Sequence, residues 1–285
     1  MHGLQGEALE AQNARLNERM GDITYKVLVM SGKGGVGKTT VAVNLAIALS
    51  MKGYSVGILD TDLHGPNVAK MLGLDGEQLY SSGADSIEPF EIPGNSAHGI
   101  GKIKVVSLAL SGNSDDEPII WRGPLKIGVI KQFLADVNWG KLDFLVIDTP
   151  PGTGDEPLTV VQTVPNLNGS VVVTTPQNVA ILDSRKSINF ARKAESRVLG
   201  VVENMSGYVC PHCQEVIDLF GRDGGRKAAD DMQVPFLGSI PIDKELMLAE
   251  DNGKLYLREH PDSGSAAAIL EVVDALIAQL GVSEG

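Results

Sequence analysis

A glycine-rich segment with two lysines, Gly32–Thr39, has the residue types and spacing of a phosphate-binding loop. It reads G-K-G-G-V-G-K-T, directly after an apolar stretch and before a helix-forming one. In such loops the glycines let backbone N–H groups point at phosphate oxygens, and the N-terminus of the following helix attracts the same charge. We expect Lys38 to contact the β- and γ-phosphates and the Thr39 hydroxyl to bind Mg²⁺. The residues predicted to contact the nucleotide here are Gly32, Lys33, Gly34, Gly35, Val36, Gly37, Lys38, Thr39 and Thr40.

Carboxylates follow two further apolar stretches. Asp148 ends the run F-L-V-I-D, and Asp60 and Asp62 end the run I-L-D-T-D. We expect Asp60 and Asp148 to hold Mg²⁺ together with Thr39, and Asp62 to orient or deprotonate the attacking water. Alternatively, Asp148 caps the next turn and Asp62 is the N-cap of a short helix within residues 66–71.

Two other positions complete the predicted nucleotide site. The segment T-P-P-G-T-G-D after Asp148 is stiff, and the Gly152 amide is predicted to contact the γ-phosphate as a switch. Asp155 is expected to cap a short helix that ends at Thr163. The guanine-reading pattern N-K-x-D is absent, which favours ATP over GTP. Asn204 follows a predicted strand and is either an adenine contact or a turn residue.

Cys210 and Cys213 are the only cysteines in the chain. A C-x-x-C turn brings two sulfur atoms close enough to bind one metal ion or one face of a cluster. Two thiolates complete neither a tetrahedral site nor a cubane, so the spacing predicts a homodimer in which two copies supply four. The residues alone leave three occupants open: a [4Fe-4S] cluster, a structural Zn²⁺ or a dithiol–disulfide pair.

The pattern of apolar residues predicts alternating strands and helices. The predicted strands are Lys26–Ser31, Ser55–Asp60, Ile103–Ser107, Phe144–Asp148, Ser170–Thr174, Leu199–Glu203 and Phe236–Ile240, and the main helices are Lys38–Lys52, Pro124–Asp136, Ala180–Glu195 and Ser265–Leu280. Nearly continuous β-branched runs are typical of strands buried on both faces. The expected fold is therefore a doubly wound α/β domain, with a mostly parallel sheet and helices on both faces. Each predicted site residue follows a strand end, where such sheets bind ligands.

The predicted domain organisation is simple. Residues 1–24 form a polar arm, in which residues 7–20 are either a docking helix or, the favoured interpretation, a disordered tail. Residues 25–285 form one nucleotide-binding domain, with the metal-binding or cluster-binding segment at 204–225. Residues 76–101 are expected to be a loop or a short hairpin, and residues 111–118 a polar loop.

Composition narrows the classes of function. The net charge of −12 disfavours nucleic acid as a partner. No apolar run reaches the roughly 18–20 residues of a membrane span, and the N-terminus has no export signal. With only two cysteines, the chain is not a disulfide scaffold, and a cytoplasmic location is expected.

These motifs resemble known ATPases. The early lysine, Lys33, makes Gly32–Thr39 similar to the deviant Walker A loop of the MinD/ParA-type ATPases. The resemblance implies that Lys33 acts on the partner subunit's nucleotide in an ATP-bound dimer, so we group it with Lys38 and Asp62 as catalytic.

Further motifs resemble the Mrp/ApbC branch of iron–sulfur cluster carriers, from Tyr25 to the last helix. They are D-T-D-L-H-G-P-N from Asp60, W-R-G-P from Trp121, D-T-P-P-G-T-G-D from Asp148, and N-M-S followed by C-P-H-C and F-G. The resemblance implies a [4Fe-4S] cluster at Cys210 and Cys213, passed to apo-proteins with ATP hydrolysis, and it favours the cluster over zinc.

The chain also departs from the family pattern. Gln214 stands where a glycine is common, Gly207 replaces a larger residue, and residues 1–22 contain no cysteine. Trp121 and Arg122 are expected to contact a partner subunit or nucleotide, or to pack a loop. An alternative function is a positioning or partition ATPase with structural zinc at the C-x-x-C, although the last helix lacks the basic amphipathic face that membrane targeting needs. A small-molecule kinase or ligase is a third class.

Overall fold

An eight-stranded sheet forms the centre of the computed structural model, which describes residues 2–62, 65–83, 86–95, 100–111, 123–210 and 212–282. The strands are β1 (Ile23–Ser31), β2 (Val56–Asp60), β3 (Tyr80–Gly83), β4 (Ser86–Glu88), β5 (Phe90–Ile92), β6 (Ile103–Val106), β7 (Leu142–Asp148), β8 (Gly169–Thr174), β9 (Val198–Glu203), β10 (Tyr208–Val209), β11 (Val216–Ile217) and β12 (Phe236–Ser239). The order in the large sheet is β12-β9-β8-β1-β7-β2-β6-β5. All neighbours are parallel except β5, which runs antiparallel to β6.

Helices cover both faces of this sheet. They are α1 (His2–Gly21), α2 (Lys38–Met51), α3 (Val68–Met71), α4 (Gly123–Asp136), α5 (Asp155–Thr163), α6 (Asn178–Lys193), α7 (Gly224–Met232), α8 (Lys244–Asp251), α9 (Tyr256–Glu259) and α10 (Gly264–Leu280), with a 3₁₀ turn at Leu108–Ser111. Successive residues of a strand point to opposite faces. Val27 and Val29 accordingly pack in the layer that contains α2 and α10, whereas Leu28 and Met30 pack in the layer that contains α1, α4 and α6. The predicted doubly wound α/β fold is confirmed, and every predicted strand lies in the large sheet, differing only at its ends.

The first residues are helical, which differs from the disordered tail that the sequence favoured. Met20, near the C-terminal end of α1, is 1% exposed. The guanidinium of Arg15 lies 3.1 Å from the Asp136 carboxylate at the end of α4. The structure therefore has the docking helix that the sequence left as the alternative.

The insertion predicted at residues 76–101 contains the antiparallel pair β3–β4 and the edge strand β5. The hairpin was one of the two predicted forms, but β5 was not foreseen. Of the predicted polar loop at 111–118, only Ser111 lies among the described residues.

Local signals define the ends of the longest C-terminal helix. Ser263 caps α10 by accepting a hydrogen bond from the backbone N–H of Ala266 at 3.0 Å, and Gly281 ends the helix with a φ of 69°. Both are the residue types favoured at those positions. Among the residues described, none of the helices is both long and apolar enough to cross a bilayer.

Candidate functional site

The predicted phosphate-binding loop connects β1 to α2 at the carboxyl edge of the sheet. Gly35 and Gly37 both have a φ of 79°, a conformation that glycine adopts without steric cost. A Cβ atom at Gly37 would also lie 2.1 Å from the side-chain nitrogen of Asn204. The loop borders a cavity of about 250 Å³. The cavity is lined by Ser31, Lys33, Gly34, Gly35, Gly37, Lys38, Thr39, Thr40, Asp62, Asn67, Met71 and Pro151.

All three residues predicted to act in catalysis, Lys33, Lys38 and Asp62, line this cavity. The N-cap of α3 is Asn67 rather than Asp62, so the capping alternative for Asp62 does not hold. Lys33 is half-buried, whereas Lys38 is buried. The structure thus brings two cations and one carboxylate to the same opening.

Asp148 contacts two of the loop side chains directly. Its Oδ1 atom lies 2.6 Å from Lys38 Nζ, and its Oδ2 atom accepts a hydrogen bond of 2.8 Å from Thr39 Oγ1. Lys38 is 6% exposed and Asp148 is 1% exposed, so the pair is shielded from solvent. The residue expected to hold magnesium therefore already holds the two side chains expected to meet phosphate and metal.

Asp60 lies next to Asp148 because β2 and β7 place these two residues in register. The Asp60 carboxylate accepts hydrogen bonds from the Asp62 N–H at 3.0 Å and from Ser107 Oγ at 3.1 Å. Burial, with the nearby Asp148 carboxylate adding to it, raises the pKa of Asp60 to about 8. Burial also raises the pKa of Asp148, and Lys38 opposes that rise.

The oxygen donors at this edge suit magnesium. Thr39 supplies a hydroxyl, and Asp60 and Asp148 supply carboxylates, the hard oxygen ligands that Mg²⁺ prefers. Two buried carboxylates side by side also disfavour each other's ionised form, and a divalent cation would relieve that repulsion. The residues present therefore fit the predicted metal.

The predicted switch residue, Gly152, sits beside the cavity. Its N–H donates a 2.8 Å hydrogen bond to the Ser31 carbonyl at the end of β1, and its φ is 97°. A contact from this amide to a γ-phosphate would replace the bond to Ser31. Helix α5 ends at Thr163 as predicted, but it begins at Asp155 and its N-cap is Gly154 with no side-chain cap, so the capping role expected of Asp155 is wrong.

Asn204 is buried and lies against the phosphate-binding loop rather than in a solvent-facing turn. Its Nδ2 atom donates a 3.0 Å hydrogen bond to the Val36 carbonyl, and its backbone N–H donates to the Thr174 carbonyl at 2.8 Å. Whether Asn204 also contacts adenine stays a prediction. In the structure its side chain contacts the backbone of the loop.

The two cysteines lie on a short hairpin, formed by β10 and β11, beyond the end of β9. The Cys210 N–H donates to the Glu215 carbonyl, and the Gln214 N–H donates to the Cys210 carbonyl, both at 2.9 Å. Gln214 has a φ of 61°, in the region that favours glycine. The position where this chain departs from the family's usual glycine therefore keeps the conformation that glycine would adopt.

Both cysteines are free thiols, with Cys210 half-buried and Cys213 exposed. The backbone N–H groups of Cys213 and His212 stabilise the Cys210 thiolate and lower the pKa of Cys210. A lowered thiol pKa favours the form that binds metal. Within the described residues no group of three or more His, Cys, Asp and Glu side chains forms a metal site.

The family profile described as ParA, NUBPL iron-transfer P-loop NTPase, matches residues 22–277. The chain belongs to this P-loop NTPase family. An iron–sulfur cluster carrier protein from Methanococcus maripaludis is 51% identical over 245 residues, which are 86% of this chain and 82% of that protein. The resemblance predicted from the motifs is confirmed at the level of the family.

Solved structures agree with this assignment. A nucleotide-binding protein from Archaeoglobus fulgidus, in complex with ADP, is 38% identical to this P-loop NTPase, with a TM-score of 0.72 over 85% of this chain and 91% of that one. The septum site-determining protein MinD from Pyrococcus horikoshii, with Mg-ADP, is 23% identical, with a TM-score of 0.62 over 91% and 98% of the two chains. At that identity the likeness to MinD shows the fold alone.

Two buried carboxylates of this NTPase were missed by the sequence analysis. Glu203, at the end of β9, is fully buried, and Glu250, on α8, is 7% exposed. Glu203 carried a signal, because it is a charged residue that ends an apolar strand next to a predicted site residue. Glu250 carried none, because its partners Thr40 and Asn44 belong to a helix distant in sequence.

Five residues of the quoted motifs lie outside the described part of this NTPase: Leu63, His64, Trp121, Arg122 and Pro211. The predicted contacts of Trp121 and Arg122 stay predictions.

Proposed function

We propose that this P-loop NTPase is an ATP-hydrolysing carrier that binds a [4Fe-4S] cluster as cargo and delivers it to apo iron–sulfur proteins. The observation that carries the proposal is a pair of thiols, Cys210 and Cys213, on a solvent-facing hairpin a few residues after Asn204, whose side chain contacts the nucleotide loop. The name of the Methanococcus maripaludis relative, iron–sulfur cluster carrier protein, supports the same cargo.

The ligand count requires a second copy of the chain. A [4Fe-4S] cluster takes four cysteine ligands, and this chain has two cysteines. A symmetric homodimer would place both hairpins around one cluster, with two thiolates from each copy. A cluster held at an exposed hairpin is accessible to a recipient, as transfer requires.

The nucleotide side of the proposal assigns one role to each group. Backbone N–H groups of the loop and Lys38 bind the phosphates, and Lys33 reaches the nucleotide of the second copy. Asp62 orients the attacking water and accepts its proton. When bound at Thr39, Asp60 and Asp148, Mg²⁺ would neutralise phosphate charge.

The setting of the proposed function follows from composition and charge. A net charge of −12 gives nucleic acid and anionic membrane surfaces no general attraction for this chain. We therefore propose a cytoplasmic carrier whose macromolecular partners are its own second copy and the recipient apo-proteins.

Anaerobic reconstitution with iron and sulfide tests the cargo. Wild type and Cys210→Ala/Cys213→Ala would be compared by visible absorbance and by iron, sulfide and zinc content. We expect about four irons and four sulfides per dimer in the wild type, lost in the double variant. Transfer of the cluster to an apo-protein, followed by recovery of that protein's activity, tests delivery.

Other outcomes would replace the proposal. Zinc on the same thiols, with no cluster after reconstitution, would make the hairpin a structural clasp. Strong ATP-dependent co-sedimentation with lipid vesicles or DNA would favour a positioning or partition ATPase instead.

A further inference from the structure

We infer that Glu203 is a positioning residue that couples the nucleotide loop to the cysteine hairpin, an inference that rests on the proposed function. Neither end of this coupling is new to the proposal, since the loop binds phosphate and the hairpin carries the thiols. The new element is the route between them, through one buried carboxylate and the residue that follows it.

The Glu203 carboxylate binds both ends of the segment that carries the cysteines. At the start of that segment, Ser206 Oγ donates to Oε1 at 2.6 Å. At its end, the Asp223 N–H donates to Oε1 at 3.1 Å and the Gly225 N–H donates to Oε2 at 2.5 Å. Because a single fully buried side chain ties the two ends together, the hairpin between them is expected to move as one unit with Glu203.

The backbone next to these ties is unusual. Met205 and Asp223 have φ values of 57° and 58°, in the left-handed region that residues with a Cβ rarely adopt. Such conformations persist only where surrounding contacts hold them. Here they stand at the beginning and the end of the hairpin segment, beside the groups that Glu203 binds.

The next residue in the chain, Asn204, connects Glu203 to the nucleotide loop. Asn204 Nδ2 donates to the Val36 carbonyl at 3.0 Å and lies where a Cβ atom of Gly37 would be. The N–H groups of this loop are the ones expected to turn toward phosphate. A shift of the Val36–Gly37 peptide on nucleotide binding would therefore press directly on Asn204, and through its peptide bond on Glu203.

The test uses the chain's two cysteines as the reporter, because no other thiols are present. Cluster-free protein would be alkylated with iodoacetamide in the presence of MgADP or a non-hydrolysable MgATP analogue, and the rates compared by mass spectrometry. We expect the two nucleotides to give wild-type rates that differ about fivefold, the usual range of a coupling between sites.

Glu203→Gln keeps the side chain's size but replaces one acceptor oxygen by an N–H₂ donor facing backbone N–H groups. We expect this variant to bind ATP with an unchanged Kd. Its cysteines should be alkylated at the same rate with either nucleotide. Glu88→Gln is the matched control, because Glu88 also accepts side-chain hydrogen bonds, from Ser82 and Asn138, but lies on the distant β4. It should keep the wild-type ratio.

Three results would overturn the inference. The first is a wild-type alkylation rate that is the same with both nucleotides, and the second is a Glu203→Gln variant whose two rates differ as much as those of the wild type. The third is a Glu203→Gln variant that loses ATP binding together with the difference between the two rates. If Glu203→Gln fails to fold, Ser206→Ala removes one of the three ties, and a wild-type ratio in that variant would overturn the inference equally. The cargo is tested separately, because alkylation needs no cluster. Failed reconstitution with an intact Glu203 effect would refute the carrier and leave the coupling standing.

Discussion

The contact between Lys38 and Asp148 has a consequence for the protein without nucleotide. Both side chains are buried and their charged atoms are 2.6 Å apart. Removing one member of a buried ion pair leaves the other charge unpaired, which costs about 3–5 kcal/mol. The lysine expected to bind phosphate therefore also stabilises the fold.

At pH 8 we expect Lys38→Met to lower the free energy of unfolding by about 3 kcal/mol, measured by urea denaturation without nucleotide. Adding Asp148→Asn should restore part of this loss, since no buried charge then remains. If the single and double variants lose the same stability, the pair does not contribute as a pair and this prediction is wrong.

The buried carboxyl group of Glu250 should make the stability of the protein depend on pH. It accepts hydrogen bonds from Thr40 Oγ1 at 2.9 Å and Asn44 Nδ2 at 2.8 Å, and burial raises its pKa from 4.5 to about 7. A carboxyl with a raised folded-state pKa contributes stability that is complete below its unfolded pKa and is lost as the pH rises through the folded one. The contribution of Glu250 should therefore fall between about pH 4.5 and pH 7.

The variant Glu250→Gln cannot ionise, so its stability should decline less over that window. One pKa unit corresponds to about 1.4 kcal/mol, so the difference between wild type and variant should change by about 3 kcal/mol from pH 5 to pH 8. Denaturation curves at several pH values measure it. Glu271→Gln, at an exposed position on α10, should run parallel to the wild type, and parallel curves for Glu250→Gln would refute the assignment.

At the scale of elements, helix α1 is the clearest difference between expectation and structure. It carries few large apolar residues, but Met20 is 1% exposed, and the buried Lys26 Nζ donates to the carbonyls of Met20 and Ile23 at 3.1 and 2.8 Å. The bond to Met20 satisfies a carbonyl group at the end of the helix, where no helical donor is available, and the bond to Ile23 is made at the start of β1. The last turn of α1 is thus anchored to β1.

Two alanine substitutions on α1 test this anchoring. Met20→Ala should cost about 2–3 kcal/mol in the free energy of unfolding, as for other buried large-to-small changes. Leu9→Ala, at a position that is 52% exposed, should change stability by less than about 0.5 kcal/mol. If both substitutions are silent, α1 is a loose tail in solution.

The sequence could predict the features that contiguous residues determine, but not those that depend on residues distant in the chain. The strands of the large sheet were found because their β-branched runs are local signals, and the nucleotide loop was found because its glycines and lysines are contiguous. The docking of α1 and the strand β5 depend on partners elsewhere in the chain, α4 and β6, and no local pattern specifies them. The contact of Asn204 with Val36 is of the same kind, because only the order of strands brings β9 near the loop.

At the scale of the whole molecule, charge opposes the proposed dimer. Each copy carries a net charge of −12, so two copies repel each other at long range. Salt screens such repulsion, with a Debye length of about 10 Å at 0.1 M. A dimer joined at a cluster, with an interface that is not itself built on charge pairs, should therefore become tighter as salt is added.

We expect the dissociation constant of the cluster-loaded dimer to fall several-fold between about 50 and about 300 mM salt, measured anaerobically by sedimentation velocity. Cys210→Ala/Cys213→Ala, treated in the same way, should remain monomeric at both salt concentrations, which separates cluster-bridged association from salting out. Dissociation on adding salt would instead mean that charge pairs between the copies hold the interface. In that case the negative charge of the chain would have to be distributed unevenly over its surface, with basic side chains on the face around the hairpin.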